Sequence, residues 1–172
     1  HLTRPPITIP DRRALGIPSH FEAAKGAYII RDYAPGEKRM GCVIVQGTST
    51  TSGIIDILPE LEGKGLNVKI VAAISHELFS RQPKAYQEKV LSPADWLDSM
   101  TITNGAKIMM HYWLAHQVAA GDSLSSDWDN CWRTGGTVAE VLDEAHISPR
   151  WLLGGIERFV REREERLGRI RA

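Results

Sequence analysis

Three groups of residues in this chain have types and spacings that could do chemistry. The first is Thr48-Ser49-Thr50-Thr51-Ser52-Gly53, a run of hydroxyls closing on a glycine between a β-branched stretch and an apolar helical stripe. A hydroxyl-rich turn between a strand end and a helix N-terminus is where doubly wound folds hold phosphates, because unpaired backbone N–H groups and the helix dipole point there. Thr48, Ser49 and Thr50 are the candidate anion-binding residues on that reasoning. The run lacks the Lys-Ser/Thr of a P-loop and the spacing of a dinucleotide fingerprint. Its bland use, and the commoner one, is to cap a helix through Thr50, Thr51 or Ser52.

The second group is the histidines. His111 and His116 are five apart, so they do not share a helix face as the i, i+4 pair of a zinc site does, and His20, His76 and His146 have no cysteine or histidine at ligand spacing. No metal site is expected. The third group is the mixture of serine, histidine and acidic residues. No Gly-x-Ser-x-Gly elbow singles out a nucleophile, and no spacing selects a carboxylate pair, so no catalytic residue is assigned. Trp128, Trp132 and Trp151, with Tyr112 and Trp113, read as core or interface aromatics more readily than as a platform for bases.

Charge supports that choice. Lys+Arg and Asp+Glu stand at 21 each, and a nucleic-acid partner usually demands a basic excess; none is expected. Two cysteines, Cys42 and Cys131, are too few for a disulfide framework, and Cys42 lies in an apolar run. A reducing, cytoplasmic setting is the expectation. No apolar stretch nears the roughly 20 residues of a membrane helix, so no membrane partner is expected.

The elements that must position these residues follow from periodicity. Residues 1–18 carry Pro5, Pro6, Pro10 and Pro18 and read as an extended linker. Ala27–Arg31 reads as a strand. Cys42-Val43-Ile44-Val45 and Val68–Ile74 are apolar on both faces, as strands of a covered parallel sheet are. Between them Ile54, Ile55, Ile57, Leu58 and Leu61 form a helical stripe, with Pro59 removing one hydrogen bond. A helix near Ala85–Val90, a strand at Met100–Thr103 and a helix over Ile108–Val118 follow. Thr137 with Glu140 forms a capping box. Ser148-Pro149 opens a last helix whose inner face is Leu152, Ile156, Phe159 and Val160. From Glu157 to Arg171, pairs such as Glu157/Arg161 and Glu162/Arg166 predict a solvated helical face. Alternating strands and helices give an α/β fold with helices on both faces of the sheet.

Several segments, read in order, resemble the C-terminal domain of transketolases. Gly26-Ala27-Tyr28-Ile29-Ile30-Arg31-Asp32 looks like its first strand. Val43-Ile44-Val45-Gln46-Gly47-Thr48 looks like its strand ending in Gly-Ser or Gly-Thr, and Gly65–Val71 like the next. Leu78-Phe79-Ser80-Arg81-Gln82 followed by Tyr86-Gln87-Glu88-Lys89-Val90-Leu91 is the most specific piece. Thr103-Asn104-Gly105 departs from the usual Glu-Ala-Gly, and the tryptophan-rich Asp122–Gly136 has no clear counterpart.

The resemblance implies a three-layer, mostly parallel (mixed) five-stranded sheet. It divides the chain into a linker from a preceding pyrimidine-binding domain (1–18), the α/β domain (19–160) and a charged helical tail (161–172). It implies a transketolase of the pentose phosphate pathway, a homodimer that moves a two-carbon ketol unit between sugar phosphates. Thiamine diphosphate and Mg²⁺ (or Ca²⁺) would be held by other domains, with none bound by this chain, which would be inactive alone. The absence of Gly-Asp-Gly followed by paired asparagines agrees with that, and a start at His1 without methionine reads as a piece of something longer. Leu2-Thr3-Arg4 resembles the Leu-Ser/Thr-Arg ending the family's middle domain, which makes Arg4 the candidate for the sugar phosphate, a task suited to its bidentate fork. Two other readings stay open: a regulatory module binding a phosphorylated ligand at 48–53, and the equivalent domain of an oxoacid dehydrogenase or phosphoketolase.

Overall fold

The structure, a computed structural model, describes residues 8–133 and 135–171. A 3-10 helix at His20–Lys25 leads into β1 (Ala27–Arg31). Then come β2 (Cys42–Gln46), α1 (Thr48–Gly63), β3 (Lys69–Ala73), α2 (His76–Ser80), α3 (Lys84–Val90), α4 (Pro93–Leu97) and β4 (Ser99–Thr103). A second 3-10 helix at Lys107–Trp113 precedes α5 (Gln117–Asp122), the short β5 (Leu124–Ser125), α6 (Val138–Glu144), α7 (Pro149–Arg161) and α8 (Arg163–Arg171). The strands form one five-stranded sheet in the order β1-β3-β2-β4-β5. β2 is parallel to β3 and β4, β4 is parallel to β5, and only edge strand β1 runs antiparallel, against β3.

The layers follow from the period-two alternation of strand side chains. Val43, Val45, Ile70, Ala72, Met100 and Ile102 point to one face, where Ile54, Ile57 and Leu61 of α1 and Leu152, Ile156 and Phe159 of α7 cover them. Cys42, Ile44, Val71 and Ala73 point to the other, under Phe79 of α2, Val90 of α3 and Trp113. β2 and β3 are apolar over most of their length because each face has its own core, whereas β4 alternates Met100 and Ile102 with Ser99, Thr101 and Thr103. The result is the expected three-layer, mostly parallel mixed sheet.

Two expected elements come out differently. The helix expected over Ile108–Val118 is broken. Met110 and Trp113, three apart, are both buried in one core, the spacing a 3-10 turn aligns. Leu114 and His116 are extended, and His116 starts α5 by accepting from the Ala119 N–H on Nδ1 (3.1 Å) while its Nε2 lies 2.9 Å from the Leu97 carbonyl.

The tail is the second. Its expected solvated pairs do not form: Glu157 pairs with Lys64 (2.9 Å), and Arg166 is wholly buried. The Arg166 guanidinium donates to Asp98 (2.9 Å), Asp122 (3.2 Å) and the Phe159 carbonyl (2.6 Å), and its carbon lies 3.7 Å from the Phe159 ring centroid. Arg163 also reaches Asp98 (2.5 Å). The Phe159 ring is seated against Gly41, where a β-carbon would come within 2.5 Å of it and where φ is 106°. Only glycine meets both demands.

A second buried ion pair fixes the same end of the sheet. Lys69, at the start of β3, donates to Asp95 (3.0 Å) and to the Lys89 carbonyl (3.0 Å); Asp95 also accepts from the Tyr33 hydroxyl (2.8 Å) and the Ser92 N–H (3.0 Å). Burial by itself would raise the Asp95 carboxyl, but the Ser92 N–H, the Lys69 ammonium and the Tyr33 hydroxyl outweigh it and hold the group below the ordinary carboxylate range.

Removing one partner of a buried ion cluster leaves uncompensated charge. Arg166→Ala is expected to lower the unfolding free energy by about 3–5 kcal/mol in urea titration, whereas Glu165→Ala, on the exposed face of the same helix, is expected to change it by less than about 0.5 kcal/mol. Equal effects would mean that α8 is held by something other than its buried arginine.

Candidate functional site

The sheet reverses its strand order at β2: α1 carries the chain to β3 on one side, and β4 and β5 lie on the other. In open α/β sheets the crevice outside the carboxyl ends of strands at such a reversal is the favoured ligand position. A cavity of about 390 Å³ opens there. Ser49, Asn104, Ser126 and Arg133 form its polar side, and Val138 and Leu142 of α6 belong to its apolar side.

The stretch expected to be a loop is the first turn and a half of α1. Gly47, at φ 100°, is the N-cap, and the helix begins at Thr48. Neither Thr50, Thr51 nor Ser52 caps it. A positive-φ glycine turns the chain so sharply after β2 that the Thr51 N–H already reaches the Gly47 carbonyl (3.0 Å). The three candidate anion residues thus have different surroundings. Thr50 is buried, its hydroxyl shared between the carbonyls of Gln46 (2.5 Å) and Gly47 (3.1 Å). Thr48 is exposed, and Ser49 faces the cavity. Arg4 lies outside the described residues.

Across the crevice, Asn104 packs so closely on Gly47 that a β-carbon there would overlap Asn104 Oδ1. The third wall is fastened by Arg133. Its Nε and Nη2 donate to the Ser126 carbonyl (3.1 and 2.8 Å), Nη1 donates to the Glu144 carbonyl (3.3 Å), and both terminal nitrogens bond Asp129. The bond from Asp129 raises Arg133, and Arg133 in turn lowers the Asp129 carboxyl. Arg133 is therefore a strap that ties the segment after β5 to α6, with its charge already matched.

Trp132, expected in core or interface, is almost fully exposed, and the other aromatic residues of that group separate into three settings. Trp113 is core. Trp128 and Trp151 sandwich His146, with ring centroids 4.1 and 3.7 Å from the imidazole. His146 has φ 56° and ends α6, its N–H bonded to the Asp143 carbonyl and the Ile147 N–H to that of Leu142, the hydrogen-bond pattern of a Schellman cap. Tyr112 is 67% exposed beside Ile108 (75%) and Met109 (62%), and it stacks on His76 at 5.2 Å. All three exposed apolar side chains stand on the one 3-10 turn just beyond the β4 end, and large exposed apolar patches are the kind of surface that marks interaction sites. Among the described residues no three His, Cys, Asp or Glu side chains gather as a metal site, and no helix is long and apolar enough to cross a membrane.

Sequence reasoning missed Asn104, Ser126 and Arg133 as neighbours of Ser49. Asn104 stands just past β4 and Ser126 just past β5, which was the one available signal for those two; Arg133 lies eight residues beyond β5 and had none. Arg133 also fell in the stretch without family counterpart.

The model of the transketolase-like TK C-terminal domain matches residues 26–125. Among solved structures, the chain is similar to transketolase from Leishmania mexicana, with a TM-score of 0.62 and 16% identity over 83% of this chain and 19% of that one. It is similar to the Campylobacter jejuni enzyme at 0.58 and 18%, covering 79% and 19%. The Pichia stipitis enzyme complexed with sedoheptulose-7-phosphate gives 0.59 and 18%, covering 81% and 18%. At these identities the likeness is one of fold, and the chain spans about a fifth of those enzymes' length. A search of curated proteins finds no match.

The Gly47 contact is open to a direct check. Gly47→Ala is expected to destabilise the protein by more than about 1–2 kcal/mol, the cost of a β-carbon at positive φ, because the overlap with Asn104 adds to it. Adding Asn104→Gly should recover the steric part alone. Full additivity in a double-mutant thermal melt would show that the two residues do not touch.

Proposed function

We propose a function from one premise: the chain belongs to the family of transketolase-like C-terminal domains. Our reading is that it is the supporting and dimer-stabilising domain of an enzyme that moves a two-carbon ketol unit between sugar phosphates in the cytoplasm. The observation that carries this reading is the exposed apolar face of Ile108, Met109 and Tyr112, which a free-standing domain has no reason to keep in water. Within this proposal the domain body is 19–160, with 1–18 as the connection to a pyrimidine-binding domain and 161–172 as its tail. Arg4 would meet the sugar phosphate in the assembled enzyme.

Thiamine diphosphate supplies the stabilised carbanion in this chemistry, and the protein supplies position and electrostatics. The described residues do not fit that cofactor. A Mg²⁺-diphosphate needs converging oxygen donors, whereas the charged group on the cavity wall, Arg133, is bonded to Asp129 and two carbonyls. We therefore assign the cofactor and its metal to polypeptide outside this chain.

A second reading has one observation in its favour, the cavity beside Ser49. A phosphorylated effector would place its anion against the first N–H groups of α1, as helix N-termini favour.

The two readings have separate tests. In the full protein, Ile108→Asp with Tyr112→Asp is expected to weaken subunit or interdomain association by at least about tenfold in sedimentation analysis, with ketol transfer from ketose donors lost and no gain with 2-oxo acids. Unchanged association would remove the first reading. For the second, inorganic phosphate titrated into the protein should shift the amide resonances of Thr48 and Ser49 and lose affinity on Ser49→Ala; no shift at millimolar phosphate would dismiss it.

A further inference from the structure

The chain has three asparagines, and their surroundings give them three chemical fates. Asn67 is buried; its Oδ1 accepts from the Ala34 N–H (2.8 Å) and its Nδ2 donates to the carbonyls of Lys38 (3.2 Å) and Ala34 (3.5 Å). Its amide carbon is immobile. Asn130 is exposed, but the next residue is Cys131, whose own β-carbon hinders its nitrogen and whose N–H is held by Asp129 Oδ1 (3.2 Å). Asn104 differs from Asn67 in its exposure and from Asn130 in lacking a β-carbon on the next residue, the following N–H being held by one bond in both exposed cases. Its side chain is exposed and makes no hydrogen bond among the described residues, and the next residue is Gly105. One bond, from the Gly105 N–H to Thr103 Oγ1 (3.0 Å), restrains the nitrogen, and it closes a turn of two residues at the mouth of the crevice.

We infer that Asn104-Gly105 is a modification site, a self-converting amide that turns the neutral wall of the strand-end crevice into an anionic one. The Gly105 nitrogen, after losing its proton to solvent base, attacks Asn104 Cγ. The N–Cγ bond forms, the Cγ–Nδ2 bond breaks, and ammonia leaves with the proton. Water then opens the five-membered imide at either carbonyl. Opening at Cγ gives aspartate; opening at the main-chain carbonyl gives an isoaspartyl linkage with one extra methylene in the backbone. Solvent water is the one co-reactant, and no oxidant is needed.

The site receives both products with consequences. A carboxylate at 104 lies against Gly47, the N-cap of the sixteen-residue helix α1, where the positive end of the helix dipole favours an anion. The isoaspartyl form lengthens the main chain between β4 and the Lys107–Trp113 turn, the segment that carries Ile108, Met109 and Tyr112. Conversion thus changes the charge of the cavity and the position of the apolar surface in one event.

The test holds the folded protein in mildly alkaline buffer and follows the peptides containing residues 67, 104 and 130 by mass spectrometry. Acid is expected to build up at 104 ahead of both other positions, in two chromatographic forms. Gly105→Ala is the decisive variant, because a β-carbon there meets Thr103 Oγ1 at 3.5 Å and Met109 Cγ at 3.8 Å, ordinary contacts that leave the fold undisturbed. It should slow conversion by about tenfold by shielding the attacking nitrogen. Asn104→Asp should melt at or above the temperature of the parent. Conversion at 104 in the urea-unfolded chain but no faster than at 130 in the folded one would overturn the inference, as would an unchanged rate in Gly105→Ala. A lower melting temperature for Asn104→Asp would overturn its claim that the crevice accommodates the charge.

Discussion

The strand Cys42–Gln46 is paired along both edges, to β3 on one side and β4 on the other, and its side chains are buried on both faces. Every other placement answers to that constraint. A strand with two apolar faces needs two cores, so helices must cover the sheet above and below. Parallel pairing on both sides requires crossovers longer than a hairpin, and α1 supplies the first of them. β2 and β4 stay paired to their last residues, Gln46 with Thr103, but because the strands on the two sides of β2 are reached in opposite directions the segments that follow them diverge. The cavity by Ser49 and Asn104 is the gap that this divergence leaves.

The two edges of the sheet are built differently. At the amino edge, Lys69 with Asp95 and Arg166 with Asp98 and Asp122 are buried ion pairs whose donors also reach backbone carbonyls. Such pairs gain little net stability, but breaking one is costly, and so they fix register firmly. At the carboxyl edge the residues are small, polar or exposed: Gly47, Ser49, Asn104, Gly105, Ser126. The carboxyl edge therefore carries the exposed chemistry while the opposite edge holds the sheet, and the exposed rings of Tyr112 and Trp128 and the Asn104-Gly105 pair occur there.

The final helix shows how an ordinary sequence pattern can mislead. Arg166 has a glutamate four residues before it, and i, i+4 pairing is a sound local rule. A long-range alternative outcompetes it. Asp98 and Asp122 are fixed by the body of the domain and already desolvated, and Phe159 presents a ring face for the guanidinium to rest on. In the same way, the hydroxyl run after β2 looked like a loop because its residues favour loops, yet Gly47 turned the chain early and drew them into a helix.

The sequence alone determined the positions of four of the five strands, the alternation of strands and helices and the family; the two-residue β5 was not legible. Apolar runs and helical stripes are local patterns set by burial, and a family signature such as Phe79 to Leu91 is read in order along the chain. The two capping residues Thr137 and Glu140, three apart, were equally legible and form their box as expected. Tertiary structure alone decided that Arg166 is buried and that Ser49, Asn104, Ser126 and Arg133 share one cavity. Those outcomes depend on partners tens of residues away, brought near only when the strands pair, and no local propensity encodes which strand ends will meet.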